Sequence, residues 1–344
     1  MNSQIRLIAC TAVAGLISSG AQAASLSASQ VLQQFNLVVT GNATSSSGVG
    51  GRSFIGGNLD GGTFETNVAA TPASLYAGLT VLGSGNNIVN PPPINVDGLG
   101  ITVLGNLSNS NINNGPAVVG GNAINDNFNG TGGSFVAGAR SGGNANSGSL
   151  SAAAANAAIA NATSTNFGAV IGGLSAQLSH LAQNSAITVS GNTATFNATP
   201  VNGVAVFDLT GMGSSILGLS QYNFNLDGAT TVILNSDAST ASINANFLAG
   251  SALALAPKTI WNFYQATQLN IGSQFGGTVL APLASLTNTQ NIEGDVLVAS
   301  LDERAAINLH PFTGNIAPVP EPATWASMLA GMALLLLVAR RRRH

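Results

Sequence analysis

One short motif restricts the fold of this chain more than any other feature. An apolar pair followed at once by glycine recurs as Phe54-Ile55-Gly56, Val81-Leu82-Gly83, Val103-Leu104-Gly105, Val118-Val119-Gly120 and Val136-Ala137-Gly138. From Val81 onward these pairs return at a short, slightly irregular interval. Gly-Gly-Asn recurs at Gly56 to Asn58, Gly120 to Asn122 and Gly142 to Asn144. Short strands turned by Gly and Asn at nearly one interval predict a β-solenoid with one such strand per coil. Gly and Asn are expected at the corners because both tolerate the left-handed backbone region. A sandwich of short strands would give a similar texture.

Other segments complete the pattern. Leu26 to Thr40 places Val31, Leu32, Phe35 and Leu37 where a short helix, or a helix leading into a strand, would need them. Ser151 to Asn184 opens rich in alanine, the best helix former. It then sets Phe167, Val170, Ile171, Leu174, Leu178 and Leu181 at steps of three and four, one apolar helical face. This predicts one long helix over about 153–182, broken near Gly168 or Gly172, lying against the β-structure. Strands resume at Val204 to Phe207, Thr231 to Leu234, Trp261 to Phe263, Thr278 to Leu280 and Asp295 to Val298. The similar segments that start at Gly277 and Glu293 are again separated by nearly one coil. The expected fold class is mainly β, a solenoid-like domain with one long packed α-helix and a C-terminal transmembrane helix.

Composition narrows the function. Only 6% of residues are charged and 45% are hydrophobic, with mean hydropathy +0.33. Such a chain can bury a core, which a disordered one cannot. Neutral Asn, Ser and Thr must then solvate its surface, as suits an extracellular domain. Once both ends are set aside, Arg52, Arg140, Lys258 and Arg304 face eleven carboxylates, a net charge of −7. Four scattered cations supply no phosphate-binding stripe, so nucleic acid is not an expected partner.

The two ends carry addresses. Arg6, an apolar run from Leu7 to Ile17 and small residues up to Ala21-Gln22-Ala23 form the three parts of a secretory signal peptide, residues 1–23. Ala21 and Ala23 mark the cleavage site. Cys10, the only cysteine, would leave with it, so the mature chain would hold no disulfide or thiolate. At the other end the run from Ala323 to Ala339 is uncharged. As a helix it spans about 25 Å, close to the hydrocarbon core of a bilayer. Arg340, Arg341, Arg342 and Arg343 follow as a stop-transfer cluster, which the positive-inside rule holds in the cytoplasm.

Val319-Pro320-Glu321-Pro322, the apolar run and the arginines together resemble the PEP-CTERM sorting signal of certain Gram-negative bacteria, over residues 319–344. The resemblance implies an exosortase as processing partner near Pro320-Glu321-Pro322. It also implies a transient stay in the inner membrane and a destination at the cell surface or in an exopolysaccharide matrix, as in biofilms. The body, residues 24–318, resembles the choice-of-anchor A domain through Phe54 to Asn58, Ile260 to Phe263, Gly277 to Pro282 and Ile292-Glu293-Gly294 through His310 to Gly314. That domain brings no biochemical activity with it. The Val-Leu-Ala-Pro stretch at 279–282 is also similar to the β-helical ice-binding adhesion domain, in which a long helix packs along the solenoid.

Chemistry-bearing motifs are sparse. GxSxG, HExxH and the Walker A sequence do not occur. No cofactor and no catalytic residue is expected. His180 falls at the end of the predicted helix, where a cation is mildly favoured. His310 reads as a cap on the last coil. Glu293 and Asp295, two apart on a strand, would share one side. They are the weak candidates for a metal or ligand site, against a plainer reading as a solvated turn with a local ion pair involving Asp302, Glu303 and Arg304. Thr193, Thr195 and Thr199 come nearest to an ice-binding threonine row but do not repeat at coil spacing. The leading expectation is a non-enzymatic surface or matrix protein associated with exopolysaccharide. An adhesin is the alternative. A polysaccharide-acting enzyme comes third, and it would require carboxylates and an arginine converging in one groove.

Overall fold

The computed structural model describes residues 24–86 and 92–316. The signal peptide with Ala21 and Ala23, the sorting motif, the span Ala323 to Ala339 and the arginine cluster lie outside the described residues. Among the described residues no helix is long and apolar enough to cross a membrane.

The chain builds a β-solenoid, and it winds from the middle. Helix α1 (Ala28–Gln34) starts with a capping box, Ser27 and Gln30 each bonding the other's backbone N–H. The strand Leu37–Val39 follows and pairs in parallel with Ser53–Ile55 on one side. On its other side it meets Val296 to Val298, near the end of the domain. Coils proceed outward through Leu79–Val81, Ile101–Val103, Ala117–Val119 and Ser134–Val136. Two helices, α2 (Ala152–Ala162) and α3 (Phe167–Ser179), then carry the chain back to the far end. Coiling resumes at Val204–Asp208 and runs inward through Thr231–Ser236, Thr259–Phe263, Thr278–Asn288 and Val296–Glu303. The two halves are joined where the first strand meets the last: within the sheet that seam is bridged by strand pairing alone, and the chain passes over it through the helices.

Each coil contributes to three faces. The strands just given form the first face, which the helices cover. The second face runs from Thr240–Ile243 and Gln268–Ile271 through residues 285–288 and 300–303 to Ala43–Ser45 and Leu59–Asp60. Leu107–Ser108, Ala123–Ile124 and Arg140–Ser141 extend it along the N-terminal half. The third face includes Gly62–Phe64, Ile94–Val96, Ser110–Ile112 and Asn127–Phe128. At the opposite end its place is taken by Ala186–Ser190, Thr193–Asn197, Gln221–Asn225 and Asn246–Phe247.

Alternation along each strand sends every second side chain inward. Leu37, Val39, Ile55, Val81, Val103 and Val119 fill the inner core of the N-terminal half. Phe196, Phe207, Tyr222, Trp261 and Phe275 fill that of the C-terminal half. A second core lies between the first face and the helices. There Phe167 of α3 stacks on Phe54 at 4.0 Å and meets Phe35 and Tyr76 edge-on. Each fully buried side chain of this size stabilises by roughly 1.5–3 kcal/mol relative to exposure. Ile171, Leu174 and Leu178 pack beside Ile233, Ile260, Leu280 and Leu297. A polar lock finishes the contact: Ser175 Oγ donates to Asn262 Oδ1 at 2.6 Å, Asn262 Nδ2 donates to Asn235 Oδ1 at 2.8 Å, and Asn235 Nδ2 donates to the Leu178 carbonyl at 2.7 Å.

Three expectations need correction. The helix expected over 153–182 is two helices, and the break expected near Gly168 or Gly172 falls at residues 163–166, just before Gly168. Thr163 closes α2, and Asn166 restarts the helix by accepting the Ala169 N–H at 3.0 Å. Val103 pairs with Val119 and not with Val118, so the coils are more regular than the apolar pairs suggest. Most of the corner glycines do not adopt left-handed backbone: Gly57, Gly83, Gly105, Gly121 and Gly138 are absent from the positive-φ set, whereas Gly142 and Gly143 belong to it. For the first group the reason is space. Asn58 N–H donates to Asn42 Oδ1 at 2.8 Å, Ser84 N–H to Asn58 Oδ1 at 2.9 Å, Asn122 N–H to Asn106 Oδ1 at 2.8 Å and Ala139 N–H to Asn122 Oδ1 at 2.8 Å. A Cβ on Gly57, Gly83, Gly121 or Gly138 would collide with that asparagine oxygen.

Candidate functional site

The first face is closed by helices, so contact with a partner falls to the second and third. Their outward rows follow from register. On the second face Thr240, Gln268, Ser285 and Ser300 form one row. Ser242, Asn270, Thr287, Asp302, Thr44 and Asp60 form the next. The intervening Ala241, Leu269, Leu286 and Leu301 point inward and are buried. Where the short helix α4 (Gly213–Leu217) packs beside Thr240–Ile243, the face becomes a groove of about 470 Å³. Gly218, Thr240, Ala241, Ser242, Gln268 and Asn270 line it, and none of these carries a charge.

The third face of the N-terminal half is built differently. Asn144 Nδ2 donates to Asn127 Oδ1 at 3.1 Å, Asn127 to Asn111 at 2.8 Å and Asn111 to Asn95 at 2.9 Å. A parallel row joins Asn113 to Asp97 at 2.8 Å and Asn146 to Asn129 at 3.0 Å. Each of these donating asparagines commits one side-chain N–H to the neighbouring coil. Thr193 and Thr195, at the other end, sit in register with Gln221 and Asn223, so no threonine row builds up there. Thr199 lies beyond the strand.

Glu293 and Asp295 are not on a solvated turn. Glu293 is 4% exposed and Asp295 is 0% exposed. They lie at the seam between the halves and have separate partners. Glu293 Oε1 accepts from Asn308 Nδ2 at 2.9 Å and Gln274 Nε2 at 3.0 Å, and Oε2 pairs with His310 Nε2 at 3.0 Å. His310, read as a cap, is therefore a hydrogen-bond partner of Glu293, and an ion pair forms there only when its ring is protonated. Asp295 receives weak bonds from Asn36 Nδ2 at 3.5 Å and Thr278 Oγ1 at 3.4 Å. Burial drives its pKa well above the usual carboxylate range, against those two bonds. Asn36 is the centre of the seam that sequence reasoning missed: its amide also donates to the carbonyls of Gly294 and Asn308, and its oxygen accepts from the Gly51 N–H.

The remaining charges are dispersed. Asp302 and Arg304 do form the expected exposed ion pair, at 2.6 Å. Glu303 is instead buried, with Ser45 Oγ donating to it, and burial pushes its pKa up to about 7. Arg52 is buried and donates to the carbonyls of Tyr76, Gln34 and Pro72. Arg140 stands over the Phe128 ring at 4.7 Å. His180 caps the C-terminus of α3, where it was expected. Among the described residues the close cation–carboxylate contacts are Arg304–Asp302 and His310–Glu293, the latter charged only when the histidine is protonated, so no arginine joins Glu293 or Asp295. Nor do three His, Cys, Asp or Glu side chains gather as a metal site would need among them.

Comparison with protein families fits this geometry. The family model described as "Putative Ice-binding-like adhesive domain" matches residues 28–309, most of the chain. The chain belongs to this ice-binding-like adhesive family. A second model, the PEP-CTERM protein-sorting motif, matches residues 318–343 and so covers Val319 to Pro322 and Arg340 to Arg343. Neither match is to the choice-of-anchor A domain. Comparison with curated proteins found no match, and comparison with solved structures found none. An adhesive-like domain followed by a PEP-CTERM signal implies export to the surface or beyond, and an adhesive family points to a role other than catalysis.

Proposed function

We propose that this protein is a non-enzymatic adhesive of the cell surface or extracellular matrix, associated with exopolysaccharide. The observation that carries the reading is the union of an adhesive-like solenoid over 28–309 with a sorting motif at 318–343. The signal peptide directs export and is removed by cleavage after Ala23 or Ala24. The apolar run and Arg340 to Arg343 hold the chain briefly in the inner membrane. An exosortase then cuts near Pro320-Glu321-Pro322, and the domain joins the matrix as a choice-of-anchor A protein would. Two broad faces made mostly of hydroxyls and amides support such a role, because sugar hydroxyls pair with both without charge. The family's adhesive character also favours a second reading, an adhesin that holds a partner cell or surface.

The test is the mature C-terminus in the native host, with an epitope inserted after Ser25. A chain ending near Pro320 and recovered with the matrix polysaccharide is the expected result. A chain that keeps Arg340 to Arg343 in the inner membrane would overturn exosortase processing and matrix association together.

A further inference from the structure

We infer that the groove lined by Gly218, Thr240, Ser242, Gln268 and Asn270 is a binding site for a neutral, polyhydroxylated chain such as an uncharged polysaccharide segment. The inference rests on the surface-adhesive reading and names where and what the domain would hold. Three observations lead to it.

The first is concavity. The groove offers about 470 Å³, and its wall at Gly218 follows α4, whose Ile216 and Leu217 are anchored in the core. A wall fixed in that way does not need ordering when a ligand arrives.

The second is unspent hydrogen-bonding capacity. Among the described residues the side chains of Thr240, Gln268, Ser285 and Ser300 hold no hydrogen bond within the protein, and Asn270 has only a 3.5 Å contact to Ser242. The asparagines of the third face are bonded from coil to coil at 2.8–3.1 Å. Both surfaces are polar, but the groove side chains leave their donors and acceptors open, whereas each third-face asparagine has part of its capacity committed. Hydroxyl and carboxamide groups each donate and accept, which matches the vicinal hydroxyls of a sugar.

The third is direction and charge. The row Thr240, Gln268, Ser285, Ser300 advances one strand at a time along the solenoid axis. Neighbouring strands lie about 4.8 Å apart, so the row spans about 14 Å and suits a linear ligand laid along it. The lining has no cation for an acidic polysaccharide and no carboxylate for a cationic one. Binding should therefore depend little on salt, unlike ion-pair recognition.

The test uses the processed protein purified from its host, with dextran and xylan as neutral probes and alginate as the acidic one, read by affinity electrophoresis. Dextran or xylan should retard the native protein equally at low and high salt. The exposed double variant Gln268→Ala/Asn270→Ala should weaken that retention roughly tenfold or more, as the loss of two or three hydrogen bonds implies. The near-isosteric pair Gln268→Glu/Asn270→Asp keeps the shape of the groove and should weaken it as well. An Asn111→Ala variant of the third face should bind as the native protein does. Melting curves establish that each variant is folded. Unchanged retention in folded groove variants, retention by alginate alone, or no retention by any probe would overturn the inference. If the protein reaches the matrix and yet binds no neutral chain, the groove assignment falls and the surface reading stands. If it is never exported, the surface reading falls, and the purified protein still decides the groove.

Discussion

The two halves of the solenoid close the same kind of coil around cores of different size. In the N-terminal half the corner bonds Asn58 to Asn42, Asn122 to Asn106 and Ala139 to Asn122 join partners 16 or 17 positions apart, and only where extra chain is inserted between coils do they reach 22 and 26, at Asn106 to Ser84 and Ser84 to Asn58. In the outer C-terminal half Asn262 bonds Asn235 on the neighbouring coil, 27 positions away, and Val204 meets Thr231 in the same manner. A short coil encloses little volume, and Val, Ile and Leu fill it. A long coil encloses more, and rings are needed: Trp261 lies 5.2 Å from Phe275, 5.7 Å from Tyr222 and 6.0 Å from Phe196, with its indole N–H on the Gly276 carbonyl at 3.0 Å. The corners differ too. The short coils are stapled by side-chain amides stacked over glycines, whereas in the long ones polar contacts such as Thr193 to Gln221 and Asn225 to Asn197 lie on open strands. Coil length thus decides which side chains can make a dry interior.

Truncating the central ring tests that idea most severely. Trp261→Ala should lower stability by about 3–5 kcal/mol, the usual range for emptying a buried aromatic site. Ile101→Ala, in the narrow half, should sit near the lower end of the aliphatic range, about 2 kcal/mol, because less volume is vacated. Denaturant titration of both would show it. Equal losses would mean that core volume does not distinguish the halves.

The seam between the halves should respond to pH. Glu303 is paired in register with Ser45 on one side and Asn288 on the other. Its Oε1 and the Asn288 Oδ1 are both buried without a partner, two acceptors that a proton on Glu303 would reconcile. Burial raises this carboxyl from its ordinary 4.5 to about 7, partly offset by the bond from Ser45. Between those values the folded state holds a proton that the unfolded chain has released. Stability is therefore full at low pH in this respect and is lost as pH rises toward 7, by about 3 kcal/mol at most. Burial also raises Asp126, to about 6, which adds a slope of the same sign. Calorimetry from about pH 5 to about pH 8 should show a falling melting temperature, and Glu303→Gln should flatten the fall. A melting temperature that rises over that range would contradict a neutral Glu303.

At a narrow corner Gly121→Ala should cost about 1–3 kcal/mol, the usual range for overpacking. The new methyl would strike Asn106 Oδ1 and stand 2.8 Å from the Gly105 carbonyl. Gly228, in the wide half, has open space around it, and its φ of +75° makes glycine useful there for backbone reasons alone. If Gly121→Ala proves neutral, the stacked amides do not set the corner.

These contrasts explain what could be read from the sequence. The narrow half announced itself, because apolar pairs and Gly-Gly-Asn return at short intervals with little between them. The wide half showed separate strands such as Thr231 to Leu234 but not its period, since a long coil dilutes the repeat with loops and varied polar residues. The seam was legible only as a cluster of acids. Whether Glu293 and Asp295 face water or Asn36 depends on bringing together the two ends of the domain, as Asn36 and Gly294 show, and no local spacing reveals that. The groove was hidden for the same reason: Gly218, Thr240 and Gln268 come together only through coil stacking. The sorting motif was the opposite case, since its meaning lies in local order alone.

The smallest effect concerns the helix that ties the halves together. α3 sets Phe167 against Phe35 and Phe54 of the first half and Ser175 against Asn262 of the second. Gly173 lies between these contacts, and a Cβ on it would meet nothing within 4 Å. Glycine there is a local weakness with no packing return, so Gly173→Ala should add about 0.5–1 kcal/mol by helix propensity and by restricting the unfolded chain. Because the helix spans the seam, a stiffer α3 should protect amides in Leu37–Val39 and in Thr259–Phe263 together, as hydrogen exchange can measure. Protection confined to one half would show that the halves open separately and that α3 does not couple them.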